Sequence, residues 1–177
     1  MALWLWLFWT YSFLGYLLEK GYAAVTASPR QARKCFLLLP LCPVYGLGAL
    51  AVLALPSTLT ASFWSLALWG GLTATAVEYA VHLLYDRLLG VQFWDYSQVR
   101  CNLRGRVCLP FTLAWGLLTA AVLPPLQTLL IPVLTAVPPG LTYALLLLTT
   151  ADGVVSAALL RQSRDTECLR LWTPRPV

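Results

Sequence analysis

The chain has 177 residues, 59% of them apolar and 11% charged, with a mean hydropathy of +0.73. Ordinary soluble domains are about 45–50% apolar and about 25% charged, so a water-soluble globular fold is excluded. The net charge of +5, from twelve Lys/Arg against seven Asp/Glu, points to anionic lipid head groups before it points to nucleic acid.

The apolar residues recur in blocks of about 17–25, the length that crosses a hydrocarbon core of roughly 30 Å. Strand-period alternation is absent, which argues against an outer-membrane barrel. The sequence therefore predicts an all-α, polytopic integral membrane protein made of one transmembrane domain over residues 1–177. Met1–Phe8 holds no Lys or Arg, so the first block is expected to be a retained span rather than a cleaved signal peptide.

Span one covers about Leu3–Val25, with Trp4, Trp6, Trp9 and Tyr11 crowding its start as amphipathic rings do at a head-group boundary. Span two, about Phe36–Leu55, opens on Pro40-Leu41-Cys42-Pro43-Val44-Tyr45-Gly46-Leu47-Gly48, which predicts a kinked or partly unwound half-helix. Span three runs over about Ser62–Tyr85 and leads into a polar loop, Asp86–Arg106. Span four, about Val107–Leu123, is expected to end at Pro124-Pro125. The apolar stretch Leu126–Val137, closed by Pro138-Pro139, is too short to cross and reads as an interfacial or re-entrant piece. Span five covers about Gly140–Leu160, and a basic tail follows.

Five spans can be tested against charge. With the N-terminus outside and the C-terminus cytoplasmic, the inward segments hold Arg30, Arg33 and Lys34, then Arg87, Arg100, Arg104 and Arg106, then Arg161, Arg164, Arg170 and Arg175, eleven of the twelve cations. Lys20 can snorkel inward. A sixth span would put the tail's arginines outside, against the positive-inside rule.

Glu19, Glu78 and Asp152 fall within or at the ends of spans. A carboxylate at a helix centre costs about 2.5–3.5 kcal/mol on insertion scales. Ser12, Gly15 and Glu19 share one helical face; so do Thr75, Glu78, His82 and Asp86, and so do Thr149, Asp152 and Ser156. Each stripe would face other helices. Two readings stay open: a shared polar cavity for an ion, proton or small polar substrate, or interhelical hydrogen bonding that merely holds the bundle. His82 reads more simply as a partner for Glu78 or a head-group contact than as a proton relay.

Catalytic motifs are missing. There is no G-x4-G-K-[ST] loop, no G-x-S-x-G elbow and no histidine near Ser97. Cys35 and Cys42, like Cys101 and Cys108, are spaced too widely for a zinc pair, and the chain has one histidine. Neither a metal nor a cofactor is expected, and an enzymatic role is the weaker expectation.

The polar loop carries a resemblance. Trp94-Asp95-Tyr96-Ser97, followed by Asn102-Leu103-Arg104-Gly105-Arg106-Val107-Cys108, resembles the W-D-Y-S … N-x-x-G-R-[IV]-C signature of a bacterial membrane family labelled as ABC-transporter permeases. A small vertebrate transmembrane family is similar in sharing W-D-Y-S. Tyr11-Ser12-Phe13-Leu14-Gly15 with Glu19, Pro43–Ala49, Glu78-Tyr79 and Trp115-Gly116 match in order, so the likeness covers about residues 8–120. Tyr16, Leu39 and Cys101 depart from the family's usual Trp, Gly and Phe. The resemblance implies a permease subunit of the bacterial inner membrane, with neither substrate nor catalytic residues attached.

The expected function is thus a multi-pass transporter component, oligomeric, surrounded by membrane lipid, with room for a separate ATPase subunit docking on the largest inward loop. The candidate polar site comprises Glu19, Tyr45, Glu78, His82, Trp94, Asp95, Tyr96, Asn102, Arg106 and Asp152. Within the loop, Asp95 can pair with Arg104 or Arg106, and the start of span four can hold an anion. The alternatives are an enzyme acting on a lipid or isoprenoid head group, with an acid/base among Glu19, Glu78 and Asp152, and a structural or assembly factor of the membrane.

Overall fold

The computed structural model describes residues 1–26 and 35–169. Of the cations counted for orientation, Arg30, Arg33 and Lys34, and Arg170 and Arg175 of the tail, lie outside these described residues. The described chain is mostly helical, with one short hairpin and two longer non-helical segments, 35–42 and 90–101. Its elements are α1 (Ala2–Val25), α2 (Pro43–Leu53), α3 (Ser57–Thr60), α4 (Phe63–Leu89), β1 (Asn102–Leu103), β2 (Val107–Cys108), α5 (Leu109–Thr135), α6 (Pro139–Ser163) and a closing 3-10 turn, Thr166–Leu169.

Local chemistry sets the boundaries. The Ser62 hydroxyl caps α4 by accepting from the Ser65 amide at 3.2 Å, and Gly90 ends that helix in a left-handed conformation at φ 69°. Prolines open α2, α5 and α6, where the first turn has no partner for an N–H anyway. Asp86 therefore belongs to the last turn of α4, and the polar loop proper begins at Gly90.

Two expectations about helix limits are corrected. The helix of span two starts only at Pro43; the preceding residues 35–42 are non-helical. The break expected at Pro124-Pro125 does not occur: α5 runs unbroken through Pro124, Pro125 and Pro132 to Thr135, absorbing the segment Leu126–Val137 almost whole. The prolines remove donors that would face the Ala120, Ala121 and Thr128 carbonyls. In lipid, however, leaving the helix would expose many more backbone groups than it would free.

α5 and α6 are each long and apolar enough to cross a membrane. Only 11% of the most apolar window of α5 and 17% of that of α6 is buried against protein. The core helix of a soluble protein would be mostly buried, and these windows are mostly exposed, as the faces of membrane-spanning helices are.

Close approach holds the bundle together. A Cβ on Gly116 would stand 2.3 Å from the Ala67 carbonyl oxygen, and one on Gly71 2.8 Å from that of Thr112, so α4 and α5 touch backbone to backbone. Likewise Gly15 lies against the Tyr45 ring and Gly46 against Ser12 and Phe8, joining α1 to α2. At one end, Val81 and Tyr85 of α4 pack with Val91, Phe93 and Trp94 of the loop and Leu160 of α6. At the other, Leu7 and Tyr11 of α1 pack with Leu134 of α5, and the Trp6 indole donates to Thr142 at the start of α6. Among the described residues, the cations Lys20, Arg87, Arg100, Arg104, Arg106, Arg161 and Arg164 all fall toward the loop end.

Candidate functional site

Between α1, α2, α4 and α5 lies a cavity of about 210 Å³. Its loop end is polar. Glu19 from α1 and Glu78 from α4 line it with Tyr45, Trp94, Tyr96 and Trp115, and its other end is lined by Val52, Val122, Leu123 and Leu126. Among the described residues, no Lys, Arg or His lines it.

Both acids are held by aromatic donors. The Tyr45 hydroxyl donates to Glu19 Oε1 at 2.7 Å. Tyr96 donates to Glu78 Oε1 at 3.0 Å, and the Trp115 indole N–H to Glu78 Oε2 at 3.2 Å. Tyr45 meets Trp115 edge to face at 5.5 Å, and Tyr96 stacks on Phe111 at 5.0 Å, so the rings fix one another. Burial, followed by the Glu78 charge, pushes the Tyr96 phenol above its ordinary range, which keeps it a donor. Trp115 entered the sequence argument only as a motif residue. Its signal was the Thr112–Trp115–Thr119 stripe, one helical face that turns out to face α4.

The polar loop is folded by hydrogen bonds of its own and tied to α4 by others. Asp95 accepts from the Ser97 amide at 2.8 Å and hydroxyl at 2.9 Å; these bonds, the amide's first, hold its carboxyl below the ordinary carboxylate range. The pairing of Asp95 with Arg104 or Arg106 is thereby corrected. Arg106 instead bonds Asp86 at 2.8 Å and the Tyr79 hydroxyl at 3.3 Å, because Asp86 and Tyr79 lie on the α4 face beside it. The Asn102 amide group donates to the Ser97 and Val99 carbonyls and its oxygen accepts from the Gly105 amide. Gly105, at φ 69°, leaves no room for a side chain: a Cβ would lie 2.7 Å from Asp95 Oδ1. The Trp94 indole donates to the Arg106 carbonyl at 2.9 Å. Asp95, Asn102 and Arg106 thus shape the loop that carries Trp94 and Tyr96 to the cavity, and do not line it themselves.

His82 and Asp152 stand apart from the cavity. His82, 3% exposed, puts Nε2 3.0 Å from the Trp94 carbonyl and its ring edge-on to the Trp94 indole. A carbonyl only accepts, so Nε2 carries the proton; Glu78 is not its partner. Asp152 accepts from the Leu38 amide at 3.0 Å, the Leu39 amide at 2.8 Å and the Ser156 hydroxyl at 3.0 Å. The non-helical segment before α2 has backbone donors that no helix satisfies, and this carboxylate takes two of them. Of the three acids, Glu19 and Glu78 line one cavity and Asp152 does not.

No curated protein and no solved structure matches the chain. The family described as "Putative ABC-transporter type IV" matches residues 6–157, which run from within α1 to within α6 and include the loop between α4 and α5. On that match the chain belongs to the ABC-transporter type IV family.

Proposed function

We infer that this protein is the membrane-embedded component of a transporter in the bacterial inner membrane, and that the Glu19–Glu78 cavity is its polar site. The observation that carries this reading is two carboxylates facing one cavity of about 210 Å³. Insertion costs make buried acids rare in lipid, and they mark substrate or ion pathways by default.

The reading includes five crossings. By a rise of about 1.5 Å per residue, α1, α4, α5 and α6 each exceed the roughly 30 Å core. The second crossing combines the non-helical residues 35–42 with the half-helix α2. Charge supports an inward-facing loop end, since the described cations gather there. Exposed Trp4, Trp64 and Tyr143 at the starts of α1, α4 and α6 suit the opposite head-group boundary. The cavity's polar end then opens toward the cytoplasm.

A single chain of this size offers a short pathway, which favours a homo-oligomer served by a separate ATPase. The test is isolation from native membranes in mild detergent, followed by mass measurement, ATPase assay and flux in vesicles. An oligomer with an ATP-hydrolysing subunit is expected. A monomer that binds no ATPase and supports no flux overturns the reading. The rival reading, a lipid head-group enzyme, requires Glu78→Gln to change the lipid profile of the membrane.

A further inference from the structure

We propose that the cavity takes one acyl chain of a bilayer phospholipid, which enters sideways between α1 and α5. This rests on the reading that these helices cross the membrane, and it needs no flux. The first support is unfilled space. Protein interiors are packed about as densely as organic crystals, and voids larger than a water molecule are few. Here about 210 Å³ lies open between four helices. Gly48 of α2 shows the room directly. It is buried and lines the cavity, yet among the described residues a Cβ built on it meets nothing within 4 Å.

The walls suit a hydrocarbon. Beyond the loop end the cavity is lined by Ala49, Val52, Ala74, Leu123 and Leu126. At the far end the Tyr11 hydroxyl accepts from the Gln127 side chain at 3.0 Å, tying α1 to α5. An apolar wall with nothing against it forfeits its dispersion contacts, and an alkyl chain restores them. Binding along this wall does not depend on the charge or the partners of Glu19 and Glu78, which stand at the loop end.

Depth and opening point to a lipid's own chain. Val122 is the middle residue of α5. At 1.5 Å per residue, Trp115 lies about 10 Å from it toward the loop, and Leu126 about 6 Å beyond it. The cavity is thus about 16 Å long, close to the roughly 15 Å that one leaflet contributes to a core of about 30 Å. Most of that length lies at the depth of the loop-side leaflet. Leu14 and Leu18 of α1 and Leu118 and Val122 of α5 line the cavity while 36–43% exposed, so the side between these helices opens onto lipid.

A phosphatidylglycerol carrying a photoactivatable diazirine at the middle of one chain, mixed into nanodiscs holding the full-length protein, tests the proposal. After illumination, peptide mass spectrometry locates the adducts. They are expected on Ala49 of α2 and Ala74 of α4, on the walls opposite the opening. Ala74 shares its helical face with the buried Gly70 and Glu78, so surrounding lipid does not reach it. Adducts on Leu129 and Leu147, 70% and 73% exposed, report that surrounding lipid. Gly48→Phe puts a ring into the cavity and should cut the Ala49 and Ala74 adducts tenfold or more, leaving the outer ones unchanged. Leu118→Trp, which narrows the side opening, should also lower the inner adducts. Outer adducts without inner ones, or inner adducts undiminished in both variants, overturn the proposal and leave the transport reading intact. Inner adducts in a protein that supports no flux uphold it while removing the transport reading. An absence of adducts even on Leu129 and Leu147 overturns the membrane crossing on which both stand.

Discussion

Asp95 is the residue around which the loop closes. Its two oxygens take the Ser97 amide and hydroxyl, and Gly105 has to lack a side chain for them to fit. Because the folded carboxyl is held below its ordinary range, the contribution of these bonds is complete above the unfolded value of about 3.9. It is lost as pH falls through the lower, folded value. Protection of the Ser97 amide, its exchange rate relative to the intrinsic rate at the same pH, should therefore stay constant from neutral pH down to the ordinary aspartate range, then fall in stronger acid. In Asp95→Asn the amide oxygen still accepts, so that acid-dependent step should disappear. A step of equal size in the variant would assign it to another group. Arg106 works on the same scale: by taking Asp86 and Tyr79, it ties the loop to α4 and leaves Asp95 to its local turn.

At the scale of elements, the non-helical segment before α2 depends on α6. Its Leu38 and Leu39 amides donate to Asp152, and a buried donor that loses its acceptor costs about 1–3 kcal/mol. Asp152→Ala should lower the thermal midpoint of the detergent-solubilised protein markedly, and Asp152→Asn, which keeps one acceptor oxygen, by less. A variant that melts like the wild type but loses transport would show that Asp152 carries an ion instead. Gly116 is the matching point between α4 and α5. Gly116→Leu should separate these helices, with a cost of overpacking of about 1–3 kcal/mol or more, read as a lower midpoint and as weaker protection of α4 amides. What the sequence could show of all this was uneven. The Pro-Gly run of span two announced an unwound segment, and the i, i+4 stripes announced which faces turn inward. The partner of Asp152 was hidden because it is backbone, and any residue but proline at 38 and 39 would donate equally well. Pro124-Pro125 misled for a related reason: its reading as a helix stop holds in water, which solvates freed carbonyls, and lipid does not.

The whole molecule is asymmetric along its long axis, and that asymmetry is what its orientation must obey. One end carries the loop, Lys20 and the described arginines; the other carries the exposed rings Trp4, Trp64 and Tyr143. Placing the cationic end in the cytoplasm also places there the mouth nearest Glu19 and Glu78. The native cysteines make this measurable. Cys101 is exposed on the loop, whereas Cys35, Cys42 and Cys108 are buried. A membrane-impermeant maleimide should leave Cys101 unlabelled in intact cells and label it once the membrane is opened. Ser57, in the short turn at the far end, is exposed, and Ser57→Cys should label in intact cells without treatment. The reverse pattern would turn the molecule over, put the two acids toward the outside, and make the cavity one that receives its ligand from the opposite leaflet.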